Sequence, residues 1–207
     1  MTFKKPPVGA YYTKVGSDKE ITDQFTEDGI LYGSNFSFRV KLKDEYSQSK
    51  LIVKADGNEI QPLSGDTYTI YNITKDGTIS IDDSINLNNY TVNFDSSDKA
   101  EYILEGNNGK IKNVEHGGSC KFKVRAKTGY KLGENIAVNC VGASGSETLT
   151  GKKISGSGSD AVYEYEIQNV KENKTISVSG VEDLFYNIKL QDVEGVTYIN
   201  ETGSVIS

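Results

Sequence analysis

The sequence predicts an all-β chain: two tandem antiparallel β-sandwiches followed by the opening strands of a third unit. Three observations carry this. Phe36, Phe38, Val40 and Leu42 alternate with Ser37, Arg39 and Lys41, and Cys120, Phe122, Val124 and Ala126 alternate with Lys121, Lys123 and Arg125. That period of two is the mark of a strand with one face buried and one in water. The stretch YTIYNITKDGTISI, residues 68–81, returns without a gap as YEIQNVKENKTISV, residues 165–178. Tyr68, Ile70, Asn72, Ile73, Thr78, Ile79 and Ser80 meet Tyr165, Ile167, Asn169, Val170, Thr175, Ile176 and Ser177, each 97 positions later. A match of that length means one structural unit used twice. Finally, no segment of ten or more residues keeps apolar residues at helical spacing, so no long helix is expected.

The repeat extends to both sides of its best stretch. Gly33-Ser34-Asn35-Phe36 aligns with Gly117-Gly118-Ser119-Cys120, and Tyr46 aligns with Tyr130, each closing the long strand before a turn. Leu51, Val53 and Ala55 align with Ile136, Val138 and Cys140. Further strands are expected at residues 50–55, 66–71, 77–81, 90–94, 136–141, 161–170 and 175–178. Tyr90 of YTVNF returns as Tyr186 of YNIKL. The units therefore run 1–87 and 88–184, with 185–207 as the first strands of an incomplete third. With no long linker between them, the two units are expected to form a semi-rigid rod.

Unit two carries an extra stretch, GASGSETLTGKKISGSGSD, residues 142–160. Its Gly/Ser-rich ends predict a flexible extension holding a short hairpin over residues 148–154 that turns at Gly151. Thr148, Lys152 and Lys153 on it are candidate partner contacts, unless it is a tolerated surface insertion. In the third unit, Tyr186, Ile188, Leu190, Val196 and Tyr198 form a candidate strand-exchange segment. Two strands cannot bury a face alone, so these belong either to a longer array or to a neighbour's sheet edge.

Composition excludes several functions. Hydrophobic residues make up 36% of the chain, enough for small cores and against wholesale disorder. The net charge of −6 opposes nucleic-acid phosphates, so no nucleic-acid partner is expected. No apolar run reaches the roughly 18 residues of a membrane helix, so no membrane insertion is expected. The first residues, MTFKKPPVG, lack the apolar run of a secretory signal. One His, two Cys and the absence of phosphate-loop, zinc-protease or nucleophile-elbow patterns argue against an enzyme and against any cofactor or metal.

The remaining candidates are few. Cys120 and Cys140 lie symmetrically about the Tyr130 turn and both have inward parity. If their strands form a hairpin, they are either a cross-strand disulfide or two buried thiols. His116, aligned with Tyr32, reads as a turn residue. Asp95 and Asp98 read as a solvated turn ahead of a calcium site. Of the 13 tyrosines, Tyr68, Tyr90, Tyr163, Tyr165 and Tyr186 recur at matched or alternating strand positions, where Tyr suits a half-buried sheet. Tyr11, Tyr12 and Tyr71 cannot be assigned to a core, and are the candidates for stacking against a glycan.

The succession Gly33-Ser34, Phe36, Phe38, Val40, then Val53, Ala55 and Gly57, then Tyr68, Ile70, Asn72 and Ile73, then Thr78, Ile79 and Ile81, resembles tandem immunoglobulin-like repeats. Such repeats occur in extracellular proteins of gram-positive and gut bacteria and of their phages. Units of about 90 residues suit that fold. The resemblance implies a surface stalk, an adhesive module or a virion decoration on the cell or virion exterior, with protein or surface partners and no catalytic residues. A carbohydrate-binding module using exposed Tyr and the 142–160 loop is the alternative.

Overall fold

The computed structural model describes residues 1–105, 110–187, 189–191, 194 and 196–199. Among these the fold is all-β, with four sheets and only two short 3-10 turns, Asp44–Tyr46 and Gly158–Asp160. No helix among them is long and apolar enough to cross a membrane.

The first half contributes β1 (Thr2–Phe3), β2 (Ala10–Lys14), β3 (Phe25–Thr26), β4 (Phe36–Leu42), β5 (Val53–Ala55), β6 (Asn58–Ile60), β7 (Thr67–Ile70) and β8 (Thr78–Ile81). They form one sheet in the order β3-β1-β8-β5-β6 and a second in the order β2-β4-β7. The second half contributes β9 (Asn89–Phe94), β10 (Ala100–Leu104), β11 (Ile111–Glu115), β12 (Cys120–Ala126), β13 (Tyr130–Gly142), β14 (Gly145–Leu149), β15 (Lys152–Ser155), β16 (Val162–Ile167) and β17 (Lys174–Asp183). Its sheets run β11-β9-β17-β13-β14 and β10-β12-β16-β15. Each half is sandwich-like, its two sheets closing on a core of its own, and neither core draws a residue from the other half.

The two halves share their pairing strand for strand, except that β15, at the edge of the second half's smaller sheet, has no counterpart in the first half. Phe36 and Phe38 face Ile70 and Tyr68, as Cys120 and Phe122 face Ile167 and Tyr165. Tyr12 faces Val40, as Tyr102 faces Val124. Ala55 faces Ile79, as Cys140 faces Ile176. Between the sheets, Phe3 meets Phe38 edge-on with ring centroids 5.1 Å apart, and Phe94 meets Phe122 edge-on at 5.0 Å. The turn geometry repeats as well. Asn72 and Asn169 take φ of 50° and 54°, a region Asn tolerates better than most residues. Gly33 and Gly117 sit beside them at 76° and 77°. This explains why an Asn and a Gly recur at these positions in the sequence.

Three expectations need correction. The sheets are not wholly antiparallel. β1 pairs with β8 in parallel, and so does β9 with β17. A unit whose first and last strands run the same way takes the chain in at one end and releases it at the other. The 142–160 stretch is not a separate hairpin. β14 pairs with β13, while β15 pairs with β16 in the opposite sheet. The chain crosses between sheets at Gly151, where a Cβ would run into the Tyr165 ring. Cys120 and Cys140 do not face each other in a hairpin, because β12 and β13 belong to different sheets. Of the candidate strand-exchange residues, Tyr186, Leu190, Val196 and Tyr198 form no strand within the single chain, and the Tyr198 hydroxyl donates to the Gln191 carbonyl at 2.7 Å. Ile188 lies outside the described residues.

Tyr12 and Tyr102 occupy equivalent core positions, and both hydroxyls are buried without a hydrogen-bond partner. Burial pushes the Tyr12 phenol far above its usual range and that of Tyr102 up to about 12. A buried unpaired hydroxyl costs free energy that a phenyl ring of the same shape does not. Tyr12→Phe and Tyr102→Phe should therefore leave the urea midpoint unchanged or raise it. Phe122→Ala, by contrast, should cost about 3–5 kcal/mol. A large loss in either Tyr→Phe variant would contradict this packing.

Candidate functional site: the junction between the units

The candidate feature built most completely is the joint between the two halves. It begins at the short 3-10 turn Asp44–Tyr46, which closes β4. A Cβ at Gly9, whose φ is 93°, would run into the Tyr46 ring, so the turn packs directly on backbone. This turn presents carbonyl oxygens to the residues that connect β8 to β9.

Asn88 is the centre of that connection. It is polar yet only 3% exposed, and a buried amide is tolerable only when its donors and acceptors are met. Its Nδ2 donates to the Asp44 carbonyl at 2.8 Å, and to the Ser47 and Tyr90 hydroxyls at 3.2 Å each. Its Oδ1 accepts the Gln48 backbone N–H at 2.8 Å. Its own backbone N–H donates to the Glu45 carbonyl, and its carbonyl accepts the His116 N–H, both at 2.8 Å. One residue thus binds the bottom turn of the first unit and the top turn of the second.

The neighbours reinforce it. Asn86 and Ser49 bond reciprocally at 2.9 and 2.8 Å, and the Asn89 N–H donates to the Gln48 side-chain oxygen at 2.9 Å. Beyond Asn88 the chain enters β9, where Asn89 faces Glu115 and Tyr90 faces Val114. The Tyr90 hydroxyl lies 3.3 Å from His116 Nδ1. His116 is therefore a turn residue, and the turn belongs to the joint.

The far end of unit two is built alike. The Leu184 N–H donates to the Gly129 carbonyl at 2.9 Å, the counterpart of Asn88 on Glu45. Beside it lies a cleft of about 510 Å³, lined in part by Arg125, Tyr130, Asp160, Leu184 and Tyr186.

The other candidates disperse. Tyr12 is 0% exposed and is core, so it cannot contact a glycan. Tyr11 is half-buried on the outer face of β2 opposite Lys41. Its phenol is pushed up by burial and by Glu20, Asp44, Asp18 and Asp66. Tyr71 is exposed beyond Ile70, which faces Phe36 at the other end of β4. Five strand residues separate the two positions, roughly 17 Å, so Tyr11 and Tyr71 form no shared platform. Thr148 donates to Asn139 Oδ1 at 2.8 Å. Lys152 and Lys153 are exposed on β15, facing Glu164 and Tyr163. No group of three or more His, Cys, Asp or Glu able to hold a metal occurs among the described residues, Asp95 and Asp98 included.

Cys120 and Cys140 are free, buried thiols within one core, contributed by its two facing sheets. Burial pushes both thiols up, and each also feels a lysine that pulls it down, Lys112 and Lys174 respectively. At the mouth of that edge, Glu172 bonds Lys174 and the Ser144 hydroxyl, and these contacts draw its carboxyl down to about 2.

Sequence reasoning missed Asn88. The boundary between the units falls in INLNNY, but nothing local marks Asn88 for burial, since the turn that buries its side chain lies 44 residues upstream.

No protein-family model, no curated protein and no solved structure matches the chain.

Asn88→Ala strands the Gln48 N–H and removes one of the two donors to the Asp44 carbonyl, which keeps the Ser47 N–H. It should cost about 1–3 kcal/mol and speed amide exchange at Gln48 and His116. Unchanged exchange at both amides would contradict the joint. In the reduced native protein neither thiol should react with a charged thiol reagent, and both should react after unfolding. Rapid labelling of the folded protein would contradict their burial, while thiols absent after unfolding of oxidised protein would reveal a Cys120–Cys140 disulfide.

Proposed function

We propose that this chain is a non-enzymatic structural and adhesive module: two immunoglobulin-like sandwiches in tandem, displayed on the exterior of a bacterial cell or a phage virion. The observation that carries the reading is the Asn88 joint. Two units of like pairing are coupled end to end by a connection whose polar groups are met from both sides. Parallel pairing of first and last strands sends the chain in at one end of each unit and out at the other. That is the construction of a spacer, which carries its far end away from a surface. Partners are then proteins or surface components met by loops and ends. The carbohydrate-binding alternative loses its aromatic basis, since Tyr12 is core and Tyr11 and Tyr71 sit apart.

Immunogold labelling of intact source cells and of purified virions tests this. Label on the outer surface of either is the expected result, and which of the two is labelled decides the setting. Label found only after cells are opened, with virions unlabelled, would overturn an exterior role.

A further inference from the structure

Four polar residues of the internal joint, Asn88, Asn89, Glu115 and His116, have counterparts at the outer ends of the two units, Leu184, Phe185, Leu31 and Tyr32, and those counterparts are apolar or aromatic. Shared hydrogen bonding fixes the correspondence at the upper end. Gly33 donates to the Ile73 carbonyl as Gly117 donates to the Val170 carbonyl, and Ser34 donates to the Leu31 carbonyl as Gly118 donates to that of Glu115. Leu31 and Tyr32 thus stand where unit two has Glu115 and His116. At the lower end, Leu184 stands where unit one has Asn88, so Phe185 and Tyr186 come where Asn89 and Tyr90 do.

Within the joint, Asn89 faces Glu115 and Tyr90 faces Val114. The same register at the free ends would set Phe185 against Leu31 and Tyr186 against Ile30. In the first of these pairs both sides have exchanged polar for apolar residues together, while the second keeps its aromatic–aliphatic character. These side chains stand in solvent: Phe185 is 87% exposed, Tyr186 80%, Leu31 77% and Tyr32 82%. Large apolar side chains gathered at two matching ends mark an interaction surface.

We propose that copies of this chain associate head to tail, residues 184–186 of one copy seating against residues 30–32 of the next. The contact repeats the one that residues 88–90 make with 114–116 inside the chain, and backbone pairing along the 30–31 edge supplies its register. Because the two surfaces differ, the contact is heterologous and propagates into filaments or closes into rings. The proposal extends the tandem-spacer reading and rests on its equivalence of the two units.

The test is sedimentation velocity of the 207-residue chain from micromolar concentration to its solubility limit. The wild type should grow beyond the dimer mass as concentration rises. Leu31→Glu with Tyr32→His installs the residues unit two already carries at this turn, and blocks the head. Phe185→Asn installs the residue of the internal joint, and blocks the tail. Each variant alone should stay monomeric, and their equimolar mixture should stop at a dimer. A wild type that remains monomeric overturns the proposal, as do blocked variants that associate like wild type or a mixture that stays monomeric. A monomeric result leaves the exterior-spacer reading standing, since surface labelling tests that independently.

Discussion

Each sandwich depends on an aromatic contact between its two sheets. In unit one, Phe3 on the first strand meets Tyr12 and Phe38 edge-on, and Phe38 stacks on Tyr68 at 5.8 Å. In unit two, Phe94 meets Tyr102 and Phe122, and Phe122 stacks on Tyr165 at 5.6 Å. Offset and edge-to-face rings at these separations add to the area they bury. More importantly, the quartet couples a first-strand residue to strands two and four of the opposite sheet. A one-residue slip in any of these strands would turn its ring to solvent. The quartet thereby holds the register that sets everything outside it, including where the chain leaves each unit.

That exit matters because the first and last strands run in parallel. The last strand of unit one delivers the chain to the bottom turn at Asp44–Tyr46, and β9 begins at the top of unit two. Only a few residues lie between. Polar backbone in so short a connection must be satisfied by whatever lies alongside. Asn88 does this with one side chain, bonding groups that belong to unit one while its carbonyl holds the His116 turn of unit two. Such a connection predicts a restrained joint where a Gly/Ser linker would leave the units free.

Much of the fold was legible in the sequence, for identifiable reasons. β4 and β12 alternate cleanly because each has a single buried face. The 97-residue offset survived because β7, β8 and the Asn72 turn impose the same demands as β16, β17 and the Asn169 turn. Other elements were hidden. β2 and β10, AYYTK and AEYIL, are true counterparts but share only Ala and Tyr, too little to register as a repeat. The parallel pairings join strands far apart in sequence, and nothing local announces them. The cysteines misled because the three residues after Ala126 are the length of a hairpin loop, yet β13 leaves for the opposite sheet, where it finds β17 and β14. The buried role of Asn88 depends on a turn 44 residues away. The tyrosines that looked unassigned divided between core, outer strand face and exposed end, since doublets such as Tyr11-Tyr12 must point to opposite faces of a strand.

If the Asn88 joint is rigid, the two sandwiches move as one body. Backbone ¹⁵N relaxation of the whole chain, at a dilution where it is monomeric, measures this most directly. A single elongated rotational diffusion tensor fitting both halves is the predicted result. Two separate tensors, each with the shorter correlation time of an isolated unit, would mean that the joint is a hinge and would contradict a rigid connection.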